Sequence, residues 1–227
     1  MSSRKDIGIL ISAVFAGCLI FGTACNKDPF DSSKGSFKDT RDSHSYSWAK
    51  IGTQIWMTEN LAFLPSVNPS ELGSDTDIFY YVYDYESTFV NTAKATPNYQ
   101  SYGVLYNWPS ATKACPDGWH LPLDAEWNVL TGFLGGDSLA GHQMKSKSGW
   151  FENGNGDNSS GFNGTAGGYR DNDGGFFLLG KNAGYWTATN ADSTNAAFVR
   201  DLGYNYEVIG QGFYNKRGGF SVRCVRN

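Results

Sequence analysis

ACPDGWHLPLDAEWNVL, residues 114 to 130, decides how the rest of the chain is read. Pro116-Asp117-Gly118 is a turn tripeptide with a mechanism: proline presets its own φ, and glycine accepts the left-handed conformation that other residues resist. Upstream, Trp108-Pro109 is suited to open a helix, because proline is tolerated in a first helical turn. Ala111, Ala114 and Cys115 then share one helical face. Downstream, a second helix is expected from about Asp124 to Leu134, with Trp127, Leu130 and Leu134 as its apolar stripe and Gly135-Gly136 as its stop. The stretch is therefore either an active site using His120 and Glu126 or the joint between two helices.

The surrounding composition favours a joint in a loop-rich domain. The chain has 227 residues, enough for one substantial domain plus a tail. Aromatic residues make up 15% and charged residues 18%, with 28 glycines, which points to a packed core carrying short strands, turns and loops. The formal net charge is -4 and no basic run is present, so a nucleic-acid partner is excluded for want of a concentrated cationic face.

At the N-terminus, Arg4 and Lys5 precede an apolar run from Ile7 to Phe21, the layout of an export signal. The run closes with Gly22-Thr23-Ala24-Cys25 and turns polar at once. Small residues before a cysteine resemble the lipobox of bacterial lipoproteins, although Gly22 stands where leucine is usual. A signal peptide is expected over residues 1–24, with Cys25 acylated; a plain transmembrane anchor is the alternative. Cys18 is a rival lipidation site, but more apolar chain follows it. Residues 25–44 are Ser- and Asp-rich without apolar periodicity and read as a flexible tether. The folded domain is expected over residues 45–227.

Cysteine counting then leaves Cys115 and Cys224, an even pair in an exported chain. They are either bonded, which would restrain the unfolded chain by about 4–5 kcal/mol, or two buried thiols. Within the domain, Ile51, Ile55 and Trp56 suggest a hairpin turning at Gly52. Residues 78–83 read as a strand and residues 84–98 as a loop. Strand-like pieces recur at residues 184–188, 196–201, 206–209 and 219–225. Helices early and short strands late make an α+β domain.

Several motifs together carry a family resemblance. The run Trp108, Ala111, Cys115, Gly118, His120, Leu121 and Glu126 resembles the first cysteine helix of C-type-lectin-like domains, which is tied by a disulfide to the last strand. His120-Leu121-Pro122 with Ala125-Glu126-Trp127 is also similar to formylglycine-generating proteins of that fold. Those enzymes need a reactive cysteine pair for copper, and here both domain cysteines hold the disulfide positions. IGTQIWMTENL (51–61), YGVLYNW (102–108), ACPDGWHLP (114–122), SGFNGTAGGYR (160–170), GYWTAT (184–189) and GGFSVRCVRN (218–227) are together similar to the Fibrobacter succinogenes major paralogous domain, over roughly residues 46–227.

The resemblance implies a C-type-lectin-like α+β domain with two short helices, a short-stranded and mainly antiparallel sheet, and long Gly/Asn-rich loops. It implies a Cys115–Cys224 disulfide, Trp119 and Trp127 in the core, and a setting on exported lipoproteins of Bacteroidetes and Fibrobacteres. Relatives often carry Ser or Thr as the helix cap where this chain has Leu123, so Asp124 is expected to cap instead.

Candidate sites follow from residue chemistry. His120 after a turn is expected to be a structural hydrogen-bonder, no nucleophile–base arrangement is evident, and no catalytic residue is assigned. The sugar-binding tripeptides of calcium-dependent lectins are missing. Asn153, Asn155 and Asp157, and Asp171 and Asp173, form oxygen-rich loops that offer calcium ligands, although calcium needs six to eight oxygens and such loops are usually plain turns. No cofactor is otherwise expected. Trp150, Tyr169, Trp186, Tyr204 and Tyr214 are candidates for a platform on which sugar rings stack, with Arg170 a ligand contact; the competing role is core packing. The expected protein is anchored in the cell envelope by lipid, at the outer membrane or cell surface. Its expected role is non-enzymatic recognition or adhesion, with a polysaccharide or an envelope protein as partner. The alternative is an enzyme acting on glycan or peptide, its site in loops 149–175.

Overall fold

The opening stretch is clamped to the end of the chain. In the computed structural model, which describes residue 30, residues 32–191 and residues 195–227, Cys115 is bonded to Cys224 with their Cα atoms 6.0 Å apart. Trp119 donates its backbone N–H to Pro116 across the turn at 3.0 Å, and Gly118 sits at φ 81°, a conformation that costs a residue with a Cβ about 1–2 kcal/mol.

The elements in chain order are β1 (Lys34–Lys38), β2 (Ser45–Ile51), β3 (Gln54–Met57), β4 (Tyr80–Tyr81), α1 (Val90–Lys94), α2 (Pro97–Tyr102), β5 (Leu105–Tyr106), α3 (Trp108–Ala114), β6 (Trp119–His120), α4 (Asp124–Phe133), α5 (Asp137–Met144), β7 (Tyr169–Arg170), β8 (Phe176–Phe177), β9 (Asn182–Asn190), β10 (Ala196–Gly203), β11 (Gly210–Asn215) and β12 (Val225–Arg226). A five-stranded sheet in the order β1-β2-β3-β12-β6 and a three-stranded sheet in the order β11-β10-β9 are joined by two small ribbons. All the strand ladders are antiparallel. The domain is α+β, with five α-helices among the described residues.

β12 explains the sheet order. Val225 pairs with Trp56 on one side and with His120 on the other, so the C-terminal strand is inserted between the early hairpin and the turn that follows Cys115. Alternation along β3 then divides the core. Trp56 belongs to a cluster with Trp127, Phe162, Tyr185 and Leu202, its ring 5.0 Å from that of Trp127. Met57 belongs to a second cluster with Tyr46, Trp48, Trp119, Trp186 and Cys224. The predicted stripe of α4 is buried as expected at Trp127, Leu130 and Leu134.

Helix starts show how side chains specify backbone. Asn107 caps α3: its Oδ1 accepts from Ser110 N at 3.2 Å and from Phe79 N at 2.9 Å, while its Nδ2 donates to the carbonyls of Ser74 and Asp77. One buried amide thus fixes both a helix start and a distant loop. At α4 the expected Asp124 cap is replaced. Leu123 is the cap residue and has no acceptor, so Glu126 supplies one by accepting from Leu123 N at 2.8 Å. Asp124 is engaged elsewhere, pairing with buried Arg200 at 2.6 Å and accepting from Gln211 at 2.6 Å.

Five expectations change. The proposed tether over 25–44 is cut short, because residues 34–38 form the edge strand β1 in a five-pair register with β2. Phe37 stacks on Trp119 with ring centroids 4.6 Å apart, which gives an otherwise polar segment its apolar anchor. The expected strand over 78–83 contracts to β4, and the expected loop over 84–98 holds α1 and the start of α2, where Thr96 Oγ1 accepts from Tyr99 N at 3.2 Å. The strand expected at 206–209 is a turn leading into β11. Residues 219–225 mostly cross between sheets, making single bridges from Gly219 to Arg170, Phe220 to Tyr106 and Ser221 to Tyr185. The signal peptide and Cys25 lie outside the described residues, among which no helix is long and apolar enough to cross a membrane.

Candidate binding cleft

The predicted aromatic platform is not a surface. Trp186 is fully buried and its indole donates to the Tyr106 carbonyl at 2.7 Å. Trp150 is buried, with its indole bonded to Ser146 Oγ at 3.0 Å. Tyr169 is half-buried and stacks on Phe220 at 5.4 Å, with Tyr214 packed edge-on against both. Arg170 is buried, and its guanidinium lies over Tyr81 at 4.4 Å. All its N–H-bearing atoms donate to backbone carbonyls, those of Ser70, Leu72, Asp171 and Arg217. It fastens the 70–72 loop to β7. Large aromatics contribute most when buried, and the cost of desolvating the Arg170 guanidinium is offset by its carbonyl acceptors and by the Tyr81 face.

The two oxygen-rich loops mostly turn back on themselves. Asp171 Oδ1 accepts from the backbone of Asp173 and Gly175, and Asp173 Oδ1 accepts from the Asn172 amide. Asn155 Oδ1 accepts from Trp150 N. Asp157 Oδ1 accepts from Ser159 N at 2.9 Å, and that bond holds its carboxyl below the usual carboxylate range. Among the described residues, no group of three or more His, Cys, Asp or Glu side chains is placed to hold a metal. The oxygens proposed for calcium serve as turn acceptors.

His120 is a strut. Its Nε2 lies 2.9 Å from Glu126 Oε1 and its Nδ1 faces Asn227 Oδ1, so the imidazole joins β6 to the start of α4 and to the last residue. Both ring nitrogens are thereby engaged.

Three remote segments meet beside Trp150 instead. The last turn of α5, the loop at 151–155 and the turn at 204–207 enclose a cavity of about 430 Å³. Glycines allow the approach. A Cβ on Gly141 would overlap the Glu207 carbonyl, on Gly154 the Tyr204 carbonyl, and on Gly156 the His142 carbonyl. Within the loop, Glu152 and Asn153 both adopt left-handed backbone, at φ 49° and 59°. Two consecutive residues in that region carry a strain that persists only when the surroundings impose it, and such strain concentrates at functional sites.

The lining is polar with an aromatic edge. His142 Nδ1 lies 3.6 Å from Glu207 Oε1, and both side chains are exposed. Tyr204 packs edge-on against Phe151 at 5.4 Å. Tyr206 donates to Asp201 Oδ2, and burial together with that carboxylate pushes its phenol up. Lys145 is only 2% exposed. Its Nζ donates to the carbonyls of Gly203 at 3.1 Å and Tyr206 at 3.0 Å and lies 5.5 Å from the centre of the Trp150 ring. Burial lowers its pKa, partly offset by the field of Glu207. Of the residues singled out from sequence, Asn153, Asn155 and Tyr204 line this cavity and Trp150 supports it. His142, Lys145 and Glu207 had no sequence signal beyond the glycines that let them meet.

An α+β frame whose middle is tied to its C-terminal end by a disulfide, with a polar cleft among its loops, defines a class of domain. Residues 49–226 match the Fibrobacter succinogenes major domain, and the chain belongs to that family. No curated protein and no solved structure matches it.

Proposed function

We propose that this chain is a lipid-anchored cell-envelope protein whose C-type-lectin-like domain is a non-enzymatic recognition or adhesion module. A polysaccharide is its ligand, bound in the cleft beside Trp150. The observation carrying this reading is the cavity of about 430 Å³ lined by Asn153, Asn155, Tyr204 and Glu207. Amide, phenol and carboxylate groups offer donors and acceptors to sugar hydroxyls, and an aromatic edge offers an apolar contact. The anchoring part rests on the N-terminal sequence, with its basic pair, apolar run and Cys25.

The test is binding of the full-length protein, in detergent micelles, to a glycan and polysaccharide array, with calcium and again with a chelator. The expected result is binding that survives chelation and falls at least tenfold in Tyr204→Ala, with the circular dichroism spectrum unchanged. Silence across the array from a folded, disulfide-bonded protein would overturn the carbohydrate reading and leave an envelope protein as the partner. Chelator-sensitive binding would return calcium to the account.

A further inference from the structure

The floor of the cleft holds an unspent donor. An ammonium carries three N–H groups, and Lys145 uses two of them on the carbonyls of Gly203 and Tyr206. Among the described residues it has no other hydrogen-bond acceptor, and no carboxylate forms an ion pair with it. The buried guanidiniums find more acceptors, although Arg223, held by the carbonyls of Met57 and Phe162 and by Asn60 Oδ1, leaves its Nε without a partner among the described residues. Arg200 is answered by Asp124 at 2.6 Å, and Arg170 is enclosed by carbonyls at every nitrogen. A buried cation held by no ion pair is costly, the field of exposed Glu207 offsets that cost only in part, and Lys145 lines the cleft.

The rim carries the opposite sign, at Glu152 and Glu207. The two ends of the cleft would therefore act oppositely on an anionic ligand. The Glu207 side chain is 68% exposed, so water and salt screen it. A charge in the effective dielectric of a protein site, about 20, acts about four times as strongly at equal distance as one in water. The buried Lys145 therefore prevails over the exposed rim for a group that reaches the floor.

We propose that the cleft selects a saccharide bearing a carboxylate, a uronic-acid residue, whose carboxylate accepts from the third N–H of Lys145 while its hydroxyls meet the rim. This rests on the cleft being the recognition surface, and the measurement separates the two claims. The full-length protein is titrated calorimetrically with trigalacturonate and with a hyaluronan tetrasaccharide, each beside its methyl ester, which keeps the shape and removes the charge. At least one acid is expected to bind tenfold or more tightly than its ester. Lys145→Met should erase that preference. Because Lys145 also holds the 203–206 turn, Glu207→Gln provides a variant remote from the core; acid and ester lose the same rim acceptor, so the readout is the ratio of acid to ester affinity, which should rise about twofold. Equal binding of acid and ester overturns the carboxylate proposal and leaves the cleft standing. Binding of neither also overturns it, and the array decides the cleft separately. An acid preference that persists in folded Lys145→Met, or an acid-to-ester affinity ratio that Glu207→Gln leaves unchanged, counts against it as well.

Discussion

The joint at residues 115–126 and the cleft between α5 and the 204–207 turn are made from the same residue types: glycine, histidine, asparagine and carboxylates. They use them in opposite ways. At the joint the side chains of His120, Asp124 and Glu126 are consumed internally. His120 is held between Glu126 and Asn227, Asp124 spends one oxygen on Arg200 and the other on Gln211, and Gly118 serves the turn. At the cleft, capacity is left over. His142 and Glu207 stand 3.6 Å apart in solvent, Lys145 keeps a donor, and glycines serve close approach between segments rather than a turn. Residue type alone therefore does not mark a site; the balance between donors offered and donors used does.

That contrast can be broken first at the frame. Replacing Cys115 and Cys224 together by alanine removes a crosslink spanning 109 residues, and the loss expected from the chain-entropy model is about 4–5 kcal/mol, read from urea unfolding. A loss near zero would mean that the β12 insertion, not the bond, holds the ends together. The next effect is expected at Arg170. Arg170→Met keeps much of the volume but strands the carbonyls of Ser70 and Arg217, at a cost of about 3 kcal/mol, with protection from hydrogen exchange lost first around residues 70–72. If Arg170 were a ligand contact, the same change would spare stability and abolish binding.

Much of the frame was legible because its signals are local. Pro116-Asp117-Gly118, the Trp127-Leu130-Leu134 spacing and the Gly52 hairpin each act within a few residues; counting singled out Cys115 and Cys224, and the family resemblance implied their bond. β1 was hidden because its sole apolar residue is Phe37, whose partner Trp119 lies far along the chain. The helices α1 and α2 span five and six residues, too short to show an apolar stripe. Thr96-Pro97 was the one cue, a cap residue followed by a proline in the first turn. Aromatic residues misled in the opposite direction: a tryptophan beside a glycine-rich loop reads the same whether it is displayed, as proposed for Trp150 and Trp186, or buried, as both are. The cleft was readable only in fragments: Asn153, Asn155 and Tyr204 were singled out for other reasons, while His142, Lys145 and Glu207 join them only through packing.

The smallest structural effect carries the central claim. Glu207 is exposed, so Glu207→Gln is expected to change stability by no more than about 0.5 kcal/mol, leaving its influence on binding uncontaminated by folding. The decisive measurement is a map of amide chemical shifts as the array-selected saccharide is titrated into the full-length protein in micelles. The account predicts that His142, Lys145, Asn153, Asn155, Tyr204 and Glu207 shift together, while His120, Glu126 and Asn227 stay in place. Shifts centred on the His120–Glu126 joint, with the cleft silent, would contradict it.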